Sequence, residues 1–416
     1  MAAGHEDRHT PLKNYCKGLL LPGERKSIEP MAARLNPRNV QPMRQSLHHV
    51  VAKARWSDDA LLEQVRNQVL PAMRKHGPVV AWIVDDTGFP KKGQHSVGVA
   101  RQYCGQLGKQ ENCRVAVSLS VATWSSSLPI AYRLYLPKEW SEDSERRNKA
   151  EVPAEVQFQT KPEIALEQIR AARAAKLDPG VVLADAGYGI NTEFRDGLTE
   201  LGLSYVMGIQ NSMTVWEPGK QPLPAKPRGQ RGRPPRLLQR SAAHQPVAVK
   251  QLAMTLAPAA YKELTWRKDA ERKLRSRFAA VRVRPAHRDY WKAEPHQEEW
   301  LLIEWPREEA EPTKYWISTL PPNTSLKALV KMAKHRWVIE RDYEELKQEL
   351  GLGHFEGRNW RGFHHHATLC IAAYGFLVAE RNRFSPSEHA VDLGFSAPGP
   401  APDFRPRGAP NPPGAA

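Results

Sequence analysis

The chain has 416 residues with an ordinary hydrophobic content of 41%, enough for two or three domains and a sizeable core. Lys and Arg outnumber Asp and Glu by 61 to 45, a formal charge of +16, which favours a polyanionic partner because such cations neutralise phosphates and release counterions. A membrane protein is disfavoured: the longest apolar run, "ATLCIAAYGFLVAE", is too short to span a bilayer and the N-terminus lacks a signal-peptide core.

Residues 1–76 read as helical, with periodic apolar positions in "NVQPMRQSLHHVVAKARW" and "SDDALLEQVRNQVLPAMRKHG" and a cap at Ser57. Arg and Lys are spread through this region, either as a solvated surface or as a DNA-docking face. At Val79 the pattern changes. "VVAWIV" is the continuous apolar run of a strand buried on both faces, and it stops at "DDTGFPKKG". "RVAVSLSVAT" and "LPIAYRLYLP" are two further strands. "KPEIALEQIRAARAAKL" is an amphipathic helix, "VVLADAGYG" a second buried strand, "NTEFRDGLTELGL" a capped helix and "SYVMGI" another strand.

"EPGKQPLPAKPRGQRGRPPRLLQR" is too rich in Pro, Gly and Arg to pack as a regular element and reads as a basic loop. Four strand-like pieces follow, "QPVAVKQLA", "RFAAVRVRPA", "EEWLLIEWP" and "TKYWISTLP", so that residues 210–318 form a β-rich segment. "NTSLKALVKMAKHRWVIERDYEELKQEL" returns to helix, and a last helix covers about 364–381. Beyond Ser385 the Pro, Gly and Ala content predicts disorder. Cys16, Cys104, Cys113 and Cys370 are scattered without a CxxC pair, as reduced thiols of a cytosolic protein would be.

Two buried strands end in carboxylates: Asp85 and Asp86 after the first, Asp185 after the fourth. Functional groups gather at the carboxyl ends of parallel strands, where loops open a crevice. Carboxylates brought together there repel unless a cation lies between them, and all-oxygen donors favour Mg²⁺ or Mn²⁺ over Zn²⁺. Capping of the following turn is the plainer role for either Asp taken alone. A third carboxylate is expected from "HRWVIERDYEELKQEL", where Arg336, Glu340 and Lys347 recur at spacings of four and seven beside the apolar stripe of Ile339, Tyr343, Leu346 and Leu350. A salt-bridge ladder would explain that charged stripe by itself. With the aspartates, Glu340 becomes a metal ligand, and Arg336 and Lys347 face passing phosphates. Two cations about 3.5–4 Å apart would then serve an in-line phosphoryl displacement.

Lys91 and Lys92 in the turn after the first Asp are candidate phosphate contacts. His364, His365 and His366 are adjacent on a helix, so they diverge and make a poor metal site; DNA contact or a helix start is the better reading. Trp316 and Trp360 could stack on an unpaired base, but core packing explains both.

"IVDDTGFPKKG", "VLADAGYG" and "HRWVIERDYEELKQELGLGHFEGRNWRGFHHHATL" resemble the three blocks of insertion-sequence DDE transposases, most closely the IS seven-hundred-one type within the IS-four-like group. The resemblance runs from roughly residue 10 to 382. It implies an α/β fold: an RNase H-like catalytic domain with a mixed five-stranded sheet and helices, carrying a β-rich insertion and preceded by a helical N-terminal domain. The expected division is 1–76 for DNA binding, 77–209 and 319–384 for the two parts of the catalytic domain, 210–318 for the insertion and 385–416 for a disordered tail. Arg336, Glu340 and Lys347 fit the group's Tyr-x2-Arg-x3-Glu-x6-Lys signature, although the Tyr position holds Ala333. The same matching selects Asp86, directly before Thr87, over Asp85 as first ligand. The resemblance therefore implies catalytic metal ligands Asp86, Asp185 and Glu340 holding two Mg²⁺ ions, with Mn²⁺ as substitute. Arg336, Lys347, Lys91, Lys92 and Arg358 are the expected DNA contacts. The expected partners are double-stranded DNA, namely terminal inverted repeats and target, and a second copy of the chain when two ends are synapsed. The expected location is the bacterial cytoplasm, at the nucleoid. The rival readings are a nuclease or resolvase with the same triad but no strand transfer, and a non-catalytic repressor that occupies transposon ends.

Overall fold

The computed structural model describes residues 3–226, 236–268 and 273–384; the middle of the basic loop and the tail from 385 lie outside them. It begins with four helices, α1 (His9–Leu20), α2 (Ile28–Leu35), α3 (Val40–Ala52) and α4 (Asp58–Arg74). Ser57 caps α4 by accepting the Ala60 N–H, and Asp58 and Asp59 add negative charge to its first turn. The buried faces of these helices, including Tyr15, Leu19, Leu47, Val51 and Met73, belong to the same hydrophobic core as the long C-terminal helix.

The central segment gives β1 (Ala81–Pro90), β2 (Ala100–Cys104), β3 (Lys109–Ala122), β4 (Ser127–Leu134), α5 (Lys138–Ser141), α6 (Ser144–Lys149), α7 (Lys161–Ala174), β5 (Val181–Ala184), α8 (Ala186–Gly189), α9 (Thr192–Glu200) and β6 (Tyr205–Ile209). Then come β7 (Thr214–Trp216), β8 (Val247–Ala248), α10 (Val249–Thr255), β9 (Lys262–Lys268), β10 (Lys273–Pro285), β11 (Glu299–Trp305) and β12 (Lys314–Ser318). The chain closes with α11 (Leu326–His335), α12 (Val338–Gln348) and α13 (Trp360–Arg383).

Among the described residues all twelve strands join one mixed sheet in the order β2-β3-β1-β5-β6-β12-β11-β10-β7-β8, with β4 also on β3 and β9 on β10. β1 runs antiparallel to β3 and parallel to β5, and β5 runs parallel to β6. The expected five-stranded sheet is thus part of a larger one. β12 pairs antiparallel with the edge of β6, so the strands after residue 210 extend the central sheet rather than forming a separate one. An open edge would leave backbone N–H and C=O groups unpaired, and β12 covers it.

Three local expectations change. "QPVAVKQLA" holds only a two-residue strand and then α10, whose buried Val249, Leu252 and Ala253 follow helical spacing. The helix over 323–350 is two helices. At Arg336 and Trp337 the bonds Trp337 N–H to Lys334 O, Ile339 N–H to Arg336 O and Glu340 N–H to Trp337 O reach back three residues instead of four. That tighter turn shifts the angular phase of everything after it. α13 starts at Trp360, four residues earlier than expected, where Asn359 caps it by accepting the Gly362 N–H at 3.2 Å. Among the described residues no helix is long and apolar enough to cross a membrane.

His366 ties α13 to the N-terminal helices. Its Nδ1 is 2.9 Å from the Tyr15 hydroxyl and its Nε2 is 3.0 Å from the Gly351 carbonyl. The neutral ring meets both, accepting from the hydroxyl and donating to the carbonyl. Burial pushes the His366 pKa down from 6.5 to about 4. In the unfolded chain this ring takes up a proton first, so its contribution to stability is complete above pH 6.5 and is lost as pH falls towards 4. The loss is on the order of 3 kcal/mol. Urea midpoints measured across this window should fall for the wild type and fall less for His366→Gln, whose amide can also donate and accept.

Candidate active site

The aspartates meet because of strand register. Ile83 of β1 pairs with Leu183 of the parallel β5, so two residues further on Asp85 and Asp185 stand side by side. Asp185 ends β5 and caps α8, its Oδ1 accepting the Gly187 N–H at 2.9 Å. One carboxylate oxygen from each of Asp85, Asp86 and Asp185 lies within 4.8 Å of the others. α8 is pressed onto β6 beneath them. A Cβ at Gly189 would come within 1.9 Å of the Gly208 carbonyl oxygen, so only glycine permits this approach.

Two cations hold the cluster. Arg336 places Nη1 3.1 Å from Asp85 and Nη2 3.8 Å from Glu340. Lys161, the first residue of α7, pairs with Asp86. Burial raises the Asp85 pKa to about 7, with Asp86 and Asp185 adding to the rise and Arg336 opposing it. Burial by itself would lower the Arg336 pKa, but Asp85, then Asp185 and Glu340, more than offset it and the guanidinium stays firmly charged. Lys347 reaches the strand from below, its Nζ donating to Gly88 O at 3.1 Å and lying 5.2 Å from the Phe89 ring centre.

The residues singled out in the sequence therefore divide. Asp86 and Asp185 come together, and Asp85 joins them. Glu340 does not: its side chain is 70% exposed and its contact is Arg336. It follows the tight turn at 336–337 but still lies 3.8 Å from Arg336, four residues before it. Lys91 is half-buried, with Nζ donating to the Phe355 carbonyl at 2.9 Å, and burial lowers its pKa to about 8. Lys92 and Arg358 are exposed.

The three histidines diverge as adjacent helical residues must. His364 meets the Leu134 N–H and the Trp360 carbonyl, His365 meets Asp58 and the Ala54 carbonyl, and His366 makes the bonds described above. His365 and His366 are buried as fasteners between elements, not set out for DNA. Trp360 is buried in the core, and Trp316 lies 5.2 Å from the Lys334 ammonium. Ala333 is buried in α11. Lys161 carries no signal in the sequence, because nothing in "TKPEIAL" links a helix start to a β1 residue 75 positions earlier.

Oxygen-only donors, close-set and not fully balanced by the two cationic side chains beside them, have the chemistry of a site for a hard divalent cation. The sequence model of the DDE superfamily endonucleases matches residues 2–273, and the chain belongs to that family. The matched region contains Asp85, Asp86 and Asp185 and ends before α12. The chain is also 32% identical over 172 residues to a protein of Microchaete diplosiphon described as a probable transposase for insertion sequence element IS701. That alignment spans 41% of this chain and 42% of the relative, less than half of either. Among solved structures, the NurA nuclease from Sulfolobus solfataricus aligns over 70% of this chain and 85% of its own with a TM-score of 0.25 and 7% identity, too distant to bear on the fold.

Proposed function

We propose that this DDE-family chain is a cut-and-paste transposase that cleaves DNA at insertion-sequence ends and joins the freed 3′-OH to target DNA. The observation that carries this is the meeting of three carboxylates on neighbouring parallel strands: Asp185 directly follows the end of β5, whereas β1 does not stop at Asp85 and Asp86 as the sequence suggests but carries both at its middle and runs on to Pro90. Membership of the DDE endonucleases and the likeness to a probable insertion-sequence transposase support it. The strand order β4-β3-β1-β5-β6, an antiparallel meander followed by two parallel strands, supports an RNase H-like core over 77–209 and 319–384. Residues 1–76 would be its DNA-binding helices and 210–318 its insertion.

Asp86 and Asp185 would hold Mg²⁺, or Mn²⁺ in its place, with Glu340 as third ligand. When bound, the metal supplies Lewis acidity that activates water and then the 3′-OH, and stabilises the leaving oxygen. Glu340 stands one guanidinium away from Asp85, and its exposed side chain is free to turn inward. Arg336 holds Asp85 in place and would meet phosphate from the open side.

The course of the DNA is suggested by a cleft of about 780 Å³ between α1–α3 and residues 354–359. Arg25, Lys26, Arg44, Lys53, Lys149 and Arg358 line it, against only Glu29 and Glu356. Such a surface suits the phosphate backbone of a duplex. Lys91 and Arg114 both donate to the Phe355 carbonyl, which ties this wall to the end of β1 and so to the carboxylates.

The test is an incubation of the purified protein with end-bearing DNA and a target plasmid in Mg²⁺. Joined product that disappears in EDTA is the expected result. Cuts without joined product would replace the proposal with a nuclease or resolvase, and binding without cuts would leave a repressor. Light scattering of the protein with paired ends should show two copies of the chain if synapsis uses a dimer.

A further inference from the structure

The Lys161–Asp86 pair lies, with the Arg336–Asp85 pair, at the carboxylate cluster. Three carboxylates with oxygens within 4.8 Å of one another bring three negative charges into one place, and Arg336 and Lys161 bring two positive ones. The two cations are held differently. The Arg336 guanidinium is planar, 27% exposed and paired with Asp85 at 3.1 Å, with the exposed Glu340 3.8 Å away. The Lys161 ammonium is a point charge on a flexible four-carbon stem, and its recorded polar contact is the Asp86 carboxylate. Lys161 and Asp86 are 30% and 24% exposed, so the pair faces the open side of the cluster.

The base of that stem is rigid. Thr160 and Glu163 form a capping box at the start of α7, and Gln168 further along donates to the Val117 carbonyl of β3 at 3.1 Å. Only the side chain is therefore free to move. The nearest ring, Tyr135, lies 5.9 Å from Nζ and offers a second resting place once Asp86 is given up.

We propose that Lys161 is a displaceable counter-ion: it holds the Asp86 carboxylate while the site lacks metal and turns onto a DNA phosphate when a divalent cation takes its place. This rests on the metal-dependent reading above. Asp86 and Asp185 would hold the cation beside the Lys161 ammonium, and repulsion between the like charges would push the ammonium outward. From the first residue of α7 its stem keeps it at the open side, where a phosphodiester at the carboxylates would lie. Lys161 thus exchanges one anion for another, and binding of metal and of DNA favour each other through it.

The experiment titrates Mn²⁺ calorimetrically into wild type, Lys161→Met and Lys161→Arg without DNA, and then measures DNA cleavage at saturating Mn²⁺. Lys161→Met keeps the bulk of the stem and removes the charge. It should bind Mn²⁺ about fivefold more tightly, the effect of removing one like charge a few ångström away in a partly solvated site. Its melting temperature should drop in EDTA and recover in Mn²⁺, which a purely structural salt bridge would not show. Cleavage at saturating Mn²⁺ should fall about tenfold through a raised KM for DNA, as expected of a lost phosphate contact, with partial recovery in Lys161→Arg. Unchanged or weaker Mn²⁺ binding by Lys161→Met would overturn the displacement, and cleavage equal to wild type would overturn the phosphate contact. Wild-type protein that binds no Mn²⁺ would overturn the metal reading itself, and this inference with it. Should Lys161→Met not fold, Lys161→Gln carries the same titration.

Discussion

Asp185→Asn is expected to leave the protein folded and to remove its Mg²⁺-dependent cleavage of DNA. The amide oxygen can still accept the Gly187 N–H, so the cap of α8 survives the substitution. What disappears is one charge of the carboxylate cluster. A bound divalent ion contributes several kcal/mol to a phosphoryl-transfer transition state, so the rate should fall about 10³-fold. Nicking of supercoiled plasmid measures the rate, and a melting curve checks the fold. Cleavage that stays above about a tenth of wild type would remove Asp185 from the site. Glu340→Gln in the same assay identifies the third ligand. A loss as large as that of Asp185→Asn means the exposed Glu340 turns inward, whereas a wild-type rate leaves Asp85 as the third carboxylate.

Gly189→Ala should cost about 3 kcal/mol, the upper part of the range for overpacking a core. Its Cβ would lie 1.9 Å from the Gly208 carbonyl oxygen and 3.0 Å from the Met207 Cβ. A backbone carbonyl cannot rotate away, so α8 must lift from β6 and carry Asp185 with it. Activity should therefore fall even at temperatures where the variant is folded. Gly353→Ala is the control, because its added Cβ meets no heavy atom within 4 Å. Urea denaturation of the two variants measures the difference, and equal midpoints would show that β6 yields easily at this position.

The strands that carry the aspartates were legible because burial on both faces leaves a continuous apolar signature, and a carboxylate that ends such a run stands out. β2 was not, since its residues alternate between exposed and half-buried and carry no such run. The joining of β12 to β6 was also hidden: periodicity describes one segment, whereas pairing is a relation between two distant ones. The break between α11 and α12 was hidden for a different reason. No glycine or proline marks the tight turn at Arg336 and Trp337, so this break has no local sequence sign. Asp85 was visible as a carboxylate, but its place depends on the register of β1 with β5.

The continuous sheet has a metrical consequence. The basic Pro- and Arg-rich stretch leaves the chain just after β7, and β7 stands six strand spacings from β1 along β5, β6, β12, β11 and β10. At about 4.8 Å per spacing, β7 lies about 29 Å from β1 measured across the sheet. Hydrogen-bonded strands set that interval, not a hinge, so the sheet works as a ruler. For a duplex lying straight across the sheet, that interval corresponds to about nine base pairs, taking 3.4 Å for each.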